Sequence, residues 1–121
     1  MADEMMMHIG ELAERTGLSL RTLRHWDEVG LVRASGRTSG GFRLYTTSDE
    51  QQVMLVRSMK PMGFTLEEMA ELVRAAEASP NDPLAEMEPE RASYFLVESI
   101  RRRDKLMRHL EGAEAFVARI S

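Results

Sequence analysis

Over most of the chain, apolar residues recur with a helical period. Ile9, Leu12 and Ala13 stand at i, i+3 and i+4, which predicts a short helix over residues 9–16. Gly17 follows where a left-handed residue would close it. Ser19 is a good N-cap for a second helix running to about Val29. In that helix Leu20, Leu23 and either Trp26 or Asp27 mark the inner side, while Arg21, Thr22, Arg24 and His25 face outward. Gly30 ends it. Two short helices around a tight glycine-containing turn form a helix-turn-helix pattern.

The period then changes. Leu31-Val32-Arg33 and Phe42-Arg43-Leu44-Tyr45 read as strands, separated by the turn formers of residues 34–41. This predicts a hairpin wing with Arg37 at its tip. Thr47 or Ser48 opens a third helix, since Thr47–Glu50 and Ser48–Gln51 both have capping-box spacing. Val53, Val56 and Met59 give it an apolar face, and Pro61 and Gly63 stop it. Thr65–Glu68 is a further capping box and starts a fourth helix to about Glu77, with Leu66, Met69, Ala70 and Val73 inward. Residues 78–90 hold three of the four prolines and read as a linker, with Pro89 suited to the first helical position. A long last helix over about residues 91–120 carries Ala92, Leu96, Ser99, Arg103, Leu106, Leu110, Ala113, Val117 and Ile120 at alternating spacings of four and three. That is a coiled-coil seam, and one helix cannot bury it alone. Leu96, Leu106, Leu110, Ala113, Val117 and Ile120 are the expected dimer contacts. The domain division expected is 1–77, 78–90 and 91–121, and the fold class is mainly α with a small β-hairpin.

Composition narrows the chemistry. The 121 residues carry a net charge of −4 and no cysteine, which rules out disulfides, thiolate metal sites, Fe–S clusters and thiol redox sensing within this sequence. His8, His25 and His109 form no ligand pattern, so no metal and no cofactor is expected. The carboxylate pairs Asp49-Glu50 and Glu67-Glu68 sit beside helix starts, where acids are favoured electrostatically, so they do not suggest catalysis. No apolar run approaches the ~20 residues needed to span a bilayer, and Met5-Met6-Met7 is too short for a signal core. The expectation is a cytoplasmic protein without membrane contact. The acidic total conceals segregation: residues 20–45 carry five arginines and two acids, whereas residues 46–90 carry three bases and ten acids. A local basic patch can bind phosphates inside an acidic chain.

In order, the chain presents Ile9-Gly-Glu-Leu-Ala13, Arg15-Thr-Gly-Leu-Ser19, Arg21-Thr-Leu-Arg-His-Trp-Asp-Glu-Val-Gly-Leu31, Gly41-Phe-Arg-Leu-Tyr45 and Met62-Gly-Phe-Thr-Leu-Glu-Glu68. This ordered set resembles the MerR family of bacterial transcription regulators, closely over about residues 7–77 and more loosely in the terminal helix. The resemblance implies a winged helix-turn-helix homodimer paired through its terminal helices. It implies a partner in double-stranded promoter DNA, with an inverted-repeat operator lying between the −35 and −10 elements. The dimer would deform that spacer so that RNA polymerase engages both elements. On this resemblance Arg21, Thr22, Arg24 and His25 belong to the recognition helix, Arg37, Arg43 and Tyr45 to the wing's backbone contacts, and Lys60 to a second wing. Three positions depart from the family's pattern: His25-Trp26 replaces two tyrosines, Phe42 replaces a common tyrosine, and Pro61 stands where a helix former is usual.

The sequence stops at Ser121, directly after the long helix, so no separate effector domain is expected. A small ligand or a protein stays open as effector. Two rival functions remain open: an excisionase-like architectural DNA-binding factor, and a protein-interaction module docking through the terminal helix. An enzyme is not expected, because no nucleophile–base or metal constellation can be assembled.

Overall fold

The computed structural model describes residues 6–121. Its elements are β1 (Met7–His8), α1 (Ile9–Thr16), α2 (Leu20–Glu28), β2 (Gly36–Arg37), β3 (Arg43–Tyr45), α3 (Thr47–Met59), a 3₁₀ turn (Lys60–Met62), α4 (Leu66–Ala78) and α5 (Pro89–Ile120). The fold is mainly helical. A small antiparallel sheet in the order β1-β3-β2 forms the wing.

The helices start and stop where local chemistry requires. Gly17 ends α1 at φ 73°, in the left-handed region, and its N–H donates to the Ala13 carbonyl. The Ser19 hydroxyl accepts from the Thr22 N–H and caps α2. Thr65 and Glu68 form the expected reciprocal capping box of α4. Pro61 lies inside the 3₁₀ turn rather than in α3, and Gly63 closes that turn at φ 82°. Pro89 takes the first turn of α5, where its missing N–H costs nothing.

Several expectations are corrected. Leu31 and Val32 are buried but not in a strand: both N–H groups donate to the Trp26 carbonyl, at 2.8 and 3.2 Å. They finish the C-terminus of the second helix. The wing strand forms further on, at Gly36–Arg37, where Gly36 pairs with Leu44 and Arg37 with Arg43. The first strand, β1, pairs Met7 with Tyr45 and His8 with Leu44, and nothing in the residue pattern announced it. Thr46, not Thr47 or Ser48, caps α3, in a capping box with Asp49. Leu20 and Leu66 each begin a helix and stay exposed rather than inward.

One core joins all the helices. Leu12 of α1, Leu23 and Trp26 of α2, Val53 and Val56 of α3, Val73 of α4 and Phe95 of α5 meet in it. Met59 and Met69 are buried there, whereas Met54 and Met107 are exposed. Burying these side chains removes apolar surface worth about 25 cal/mol per Å² from water.

α5 has two halves with different surroundings. Its first turns are seated on the domain: Phe95 is 2% exposed and lies 6.1 Å, centroid to centroid, from Phe64. Arg91 grips Glu71 through two hydrogen bonds of 2.7 and 3.0 Å, and the Tyr94 hydroxyl donates to Glu68. The Tyr94 hydroxyl holds the Glu68 carboxyl below its ordinary range, and the Arg91 hydrogen bond does the same to Glu71. The Arg102 guanidinium stacks 4.4 Å over the Phe64 ring. From Lys105 to Ser121 every residue is exposed. At 1.5 Å per residue the whole helix is about 48 Å long, and its outer half stands clear of the domain.

Candidate nucleic-acid interface

α2 presents its polar side outward because Leu23 and Trp26 are drawn into the core, at 1% and 4% exposure. Trp26 is therefore a packing residue. Arg21, Arg24 and His25 are exposed, and no side chain of the three makes a hydrogen bond or ion pair with the described residues. Thr22 is half-buried, its hydroxyl accepting from Ser19 at 2.9 Å. The 3₁₀ turn brings Lys60 to the same side. Arg21, Thr22, Arg24, His25, Trp26, Glu28 and Lys60 line one open depression of about 790 Å³. Residues that the sequence separates by 39 positions thus share a surface on which, among the described residues, Arg21, Arg24 and Lys60 have no ion-pair partner and Glu28 is the single acid.

Six other arginines are engaged by acids: Arg15 with Glu50, Arg74 with Glu77, Arg91 with Glu71, Arg101 and Arg102 with Glu98, and Arg103 with Asp104. The cations around α2 are not neutralised in this way. A guanidinium without an internal partner is available for a bidentate contact to guanine or phosphate.

The wing residues are arranged differently. Arg37 is half-exposed; it donates to the Gly41 carbonyl at 3.0 Å and approaches Asp27 at 3.5 Å. Arg43 is mostly covered, and its Nε donates to Asp27 Oδ2 at 2.8 Å. Tyr45 is wholly buried, and its hydroxyl has no partner among the described residues. Burial pushes that phenol up to about 12. The expectation that Tyr45 faces a nucleic-acid backbone therefore meets a side chain turned into the core. The alternation along β3 is responsible: Leu44 and Tyr45 point to opposite faces.

Asp27 is the residue that sequence reasoning passed over. Its Oδ1 accepts the Ala34 N–H at 2.9 Å, while its Oδ2 takes Arg43. Burial alone would raise its carboxyl, but the hydrogen bonds from Arg43 and Ala34 and the charges of Arg43 and Arg37 outweigh this and hold it below the ordinary aspartate value. The one available signal was that either Trp26 or Asp27 had to face inward. Among the described residues no group of three or more His, Asp or Glu is placed to hold a metal ion. No described helix is long and apolar enough to cross a membrane.

The model of the MerR HTH family regulatory proteins matches residues 7–76, more than half of the chain. The chain belongs to the MerR family. The match covers the helix-turn-helix, the wing and the α3–α4 pair. Among curated relatives, nodulation protein NolA of Bradyrhizobium elkanii is 48% identical over 61 residues, covering 50% of this chain and 28% of that protein. The regulator ZntR of Escherichia coli strain K12 is 40% identical over 68 residues, covering 56% of this chain and 48% of ZntR. The matched region thus spans between about a quarter and a half of these relatives' lengths. Among solved structures, HiNmlR, described as a MerR family regulator lacking the sensor domain and bound to promoter DNA, superposes with a TM-score of 0.69. Its identity is 27%, over 88% of this chain and 76% of that one. A MerR family regulator from Bacillus cereus superposes at 0.61 with 26% identity, over 94% and 76%. The MerR relatives are transcriptional regulators, not enzymes.

Proposed function

We propose that this chain is a cytoplasmic, homodimeric transcription regulator that binds an inverted-repeat operator in double-stranded promoter DNA. In this reading residues 1–77 bind DNA, 78–90 connect, and 91–121 pair two copies. Each α2 enters the major groove of one half-site. Arg21 and Arg24 read base edges or phosphates there, and Thr22, His25 and Lys60 help set the register. The wings supply cations to the flanking backbone. The exposed apolar stripe of α5, with Leu96, Leu106, Leu110, Ala113, Val117 and Ile120, joins the two copies. Holding two reading heads at a fixed separation lets the dimer deform a promoter spacer between the −35 and −10 elements, at a DNA cost on the order of 1–6 kcal/mol. RNA polymerase then engages the re-aligned elements. A small ligand or a protein acting on the dimer would set the level of activity.

One observation carries the reading: Arg21 and Arg24, without ion-pair partners among the described residues, stand on the outward face of a capped helix, and Lys60 of the 3₁₀ turn shares their depression. The test is titration of a labelled duplex, taken from the DNA upstream of the protein's own coding sequence, with the parent and Arg24→Ala. The substitution costs about 1–3 kcal/mol of operator affinity at matched salt. Equal affinities would remove Arg24 and its helix from the interface.

A further inference from the structure

The two wing arginines look equivalent in the sequence and are not equivalent in the fold. Both face Asp27, a carboxylate on the recognition helix that is 11% exposed as a side chain. Arg43 makes the short contact, 2.8 Å from Nε to Oδ2, and is itself only 19% exposed. Its partner oxygen belongs to the same carboxylate that accepts the Ala34 N–H. Helix, connecting loop and return strand are thereby tied at one point. Arg37 is placed at the margin of that point. It sits 3.5 Å from Asp27 Oδ2 with 52% of its side chain exposed, and its one side-chain hydrogen bond among the described residues goes to the Gly41 carbonyl.

We infer that Asp27 divides the work of the wing: Arg43 is a positioning residue that locks the wing to the recognition helix, and Arg37 is the exchangeable cation that moves from Asp27 to a backbone phosphate when duplex DNA arrives. The inference rests on the DNA-binding reading above. Its physical basis is a competition for one guanidinium. Exposed ion pairs contribute little, so a phosphate displaces the long, half-exposed Arg37–Asp27 contact at small cost. The Arg43 pair is covered, hydrogen-bonded and made by a carboxylate that also holds a backbone amide, so releasing it would leave a mostly covered carboxylate without its close countercharge. Arg37 can leave without disturbing that pair, and Asp27 keeps two hydrogen bonds when it does.

Two readouts separate the roles. The first is the salt dependence of binding to the upstream duplex and to a random-sequence duplex. The second is hydrogen exchange of the Ala34 amide in the protein without DNA. Arg37→Ala should make the log–log salt slope shallower by about 0.9 per protomer, the loss of one phosphate contact. It should leave Ala34 exchange as in the parent. Arg43→Ala and Asp27→Ala should both accelerate Ala34 exchange by about tenfold or more and weaken both duplexes. Asp27→Asn, which keeps an acceptor for Ala34, should accelerate exchange less than Asp27→Ala and guards against a variant that fails to fold. The division of roles is overturned if Arg37→Ala leaves the slope unchanged, if it accelerates Ala34 exchange as Arg43→Ala does, or if Arg43→Ala leaves that exchange untouched. A parent protein that binds neither duplex overturns the DNA-binding reading, and the inference with it.

Discussion

Replacing Tyr45 by Phe should stabilise the protein. Tyr45 is at the centre of the wing sheet, 0% exposed, with a hydroxyl that has no hydrogen-bond partner among the described residues. A buried polar group without a partner costs about 1–3 kcal/mol of desolvation. Phe keeps the ring and removes only that oxygen, so little cavity is left behind. We expect a gain of about 1 kcal/mol, the low end of that range, and a rise in Tm on the order of 3–6 °C. Trp26 is the one tryptophan and is buried beside the same core, so its fluorescence in a urea titration reads the transition directly. The alkaline arm gives a second check. The phenol is raised from 10.0 to about 12 in the folded chain, so its neutral form is the one the fold favours. That contribution is whole below pH 10 and is lost as pH rises through about 12. Tyr45→Phe should lack this part of the alkaline loss. Operator affinity should not change. A variant destabilised by about 1 kcal/mol or more would mean the hydroxyl has a partner. Weaker DNA binding with the fold intact would mean that it reaches the duplex.

Three further outcomes follow from the geometry. Thr65→Ala removes the cap of α4 and should cost about 0.5–2 kcal/mol in denaturant titration, with Thr65→Gly costing less. Leu110→Asp puts a charge into the exposed stripe of α5, where Leu110 is 58% exposed. If two copies pair there, sedimentation should show the association weakened by about two orders of magnitude or more, since burying an unpaired charge costs several kcal/mol, while the urea transition stays put. Glu68 and Glu71 are both held below the ordinary glutamate value of 4.5, by Tyr94 and Arg91 respectively. Their contribution to seating α5 is present above that value and lost as pH falls through the lowered ones, so Tyr94 fluorescence or amide exchange in the first turns of α5 should report loosening only once the pH is below 4.5.

The helices were legible because each combines a long apolar period with a chemical start or stop. Ser19, Thr65 and Pro89 mark their starts by side-chain chemistry that acts within one turn. The same locality made Arg21, Arg24 and His25 readable as outward-facing. What was misread depends on contacts distant in sequence. Two-residue strands such as β1 have no period to detect. Leu31 and Val32 carry the apolar doublet of a strand, but their N–H groups are taken by the Trp26 carbonyl. Thr46, Thr47 and Ser48 offer three capping frames. The one used has Asp49 also accepting from the Ser35 N–H at 3.2 Å, a tie to the wing connection that local spacing does not contain. Tyr45 and Arg43 look alike as polar-tipped wing residues on one face of β3, and it is the tertiary surroundings that separate them: Asp27 takes Arg43, and the core takes the Tyr45 ring. Lys60 shares the depression beside the recognition helix through the 3₁₀ turn around Pro61, a placement that the residue pattern did not contain.

The most direct test is footprinting of the DNA upstream of the protein's own coding sequence, with the parent and Arg24→Ala side by side. The prediction is protection of two symmetric half-sites between the −35 and −10 elements, with enhanced cleavage at the deformed centre, and loss of both half-sites together in Arg24→Ala at the same salt. The contradicting result is a folded parent that protects no sequence, or protection that Arg24→Ala retains in full.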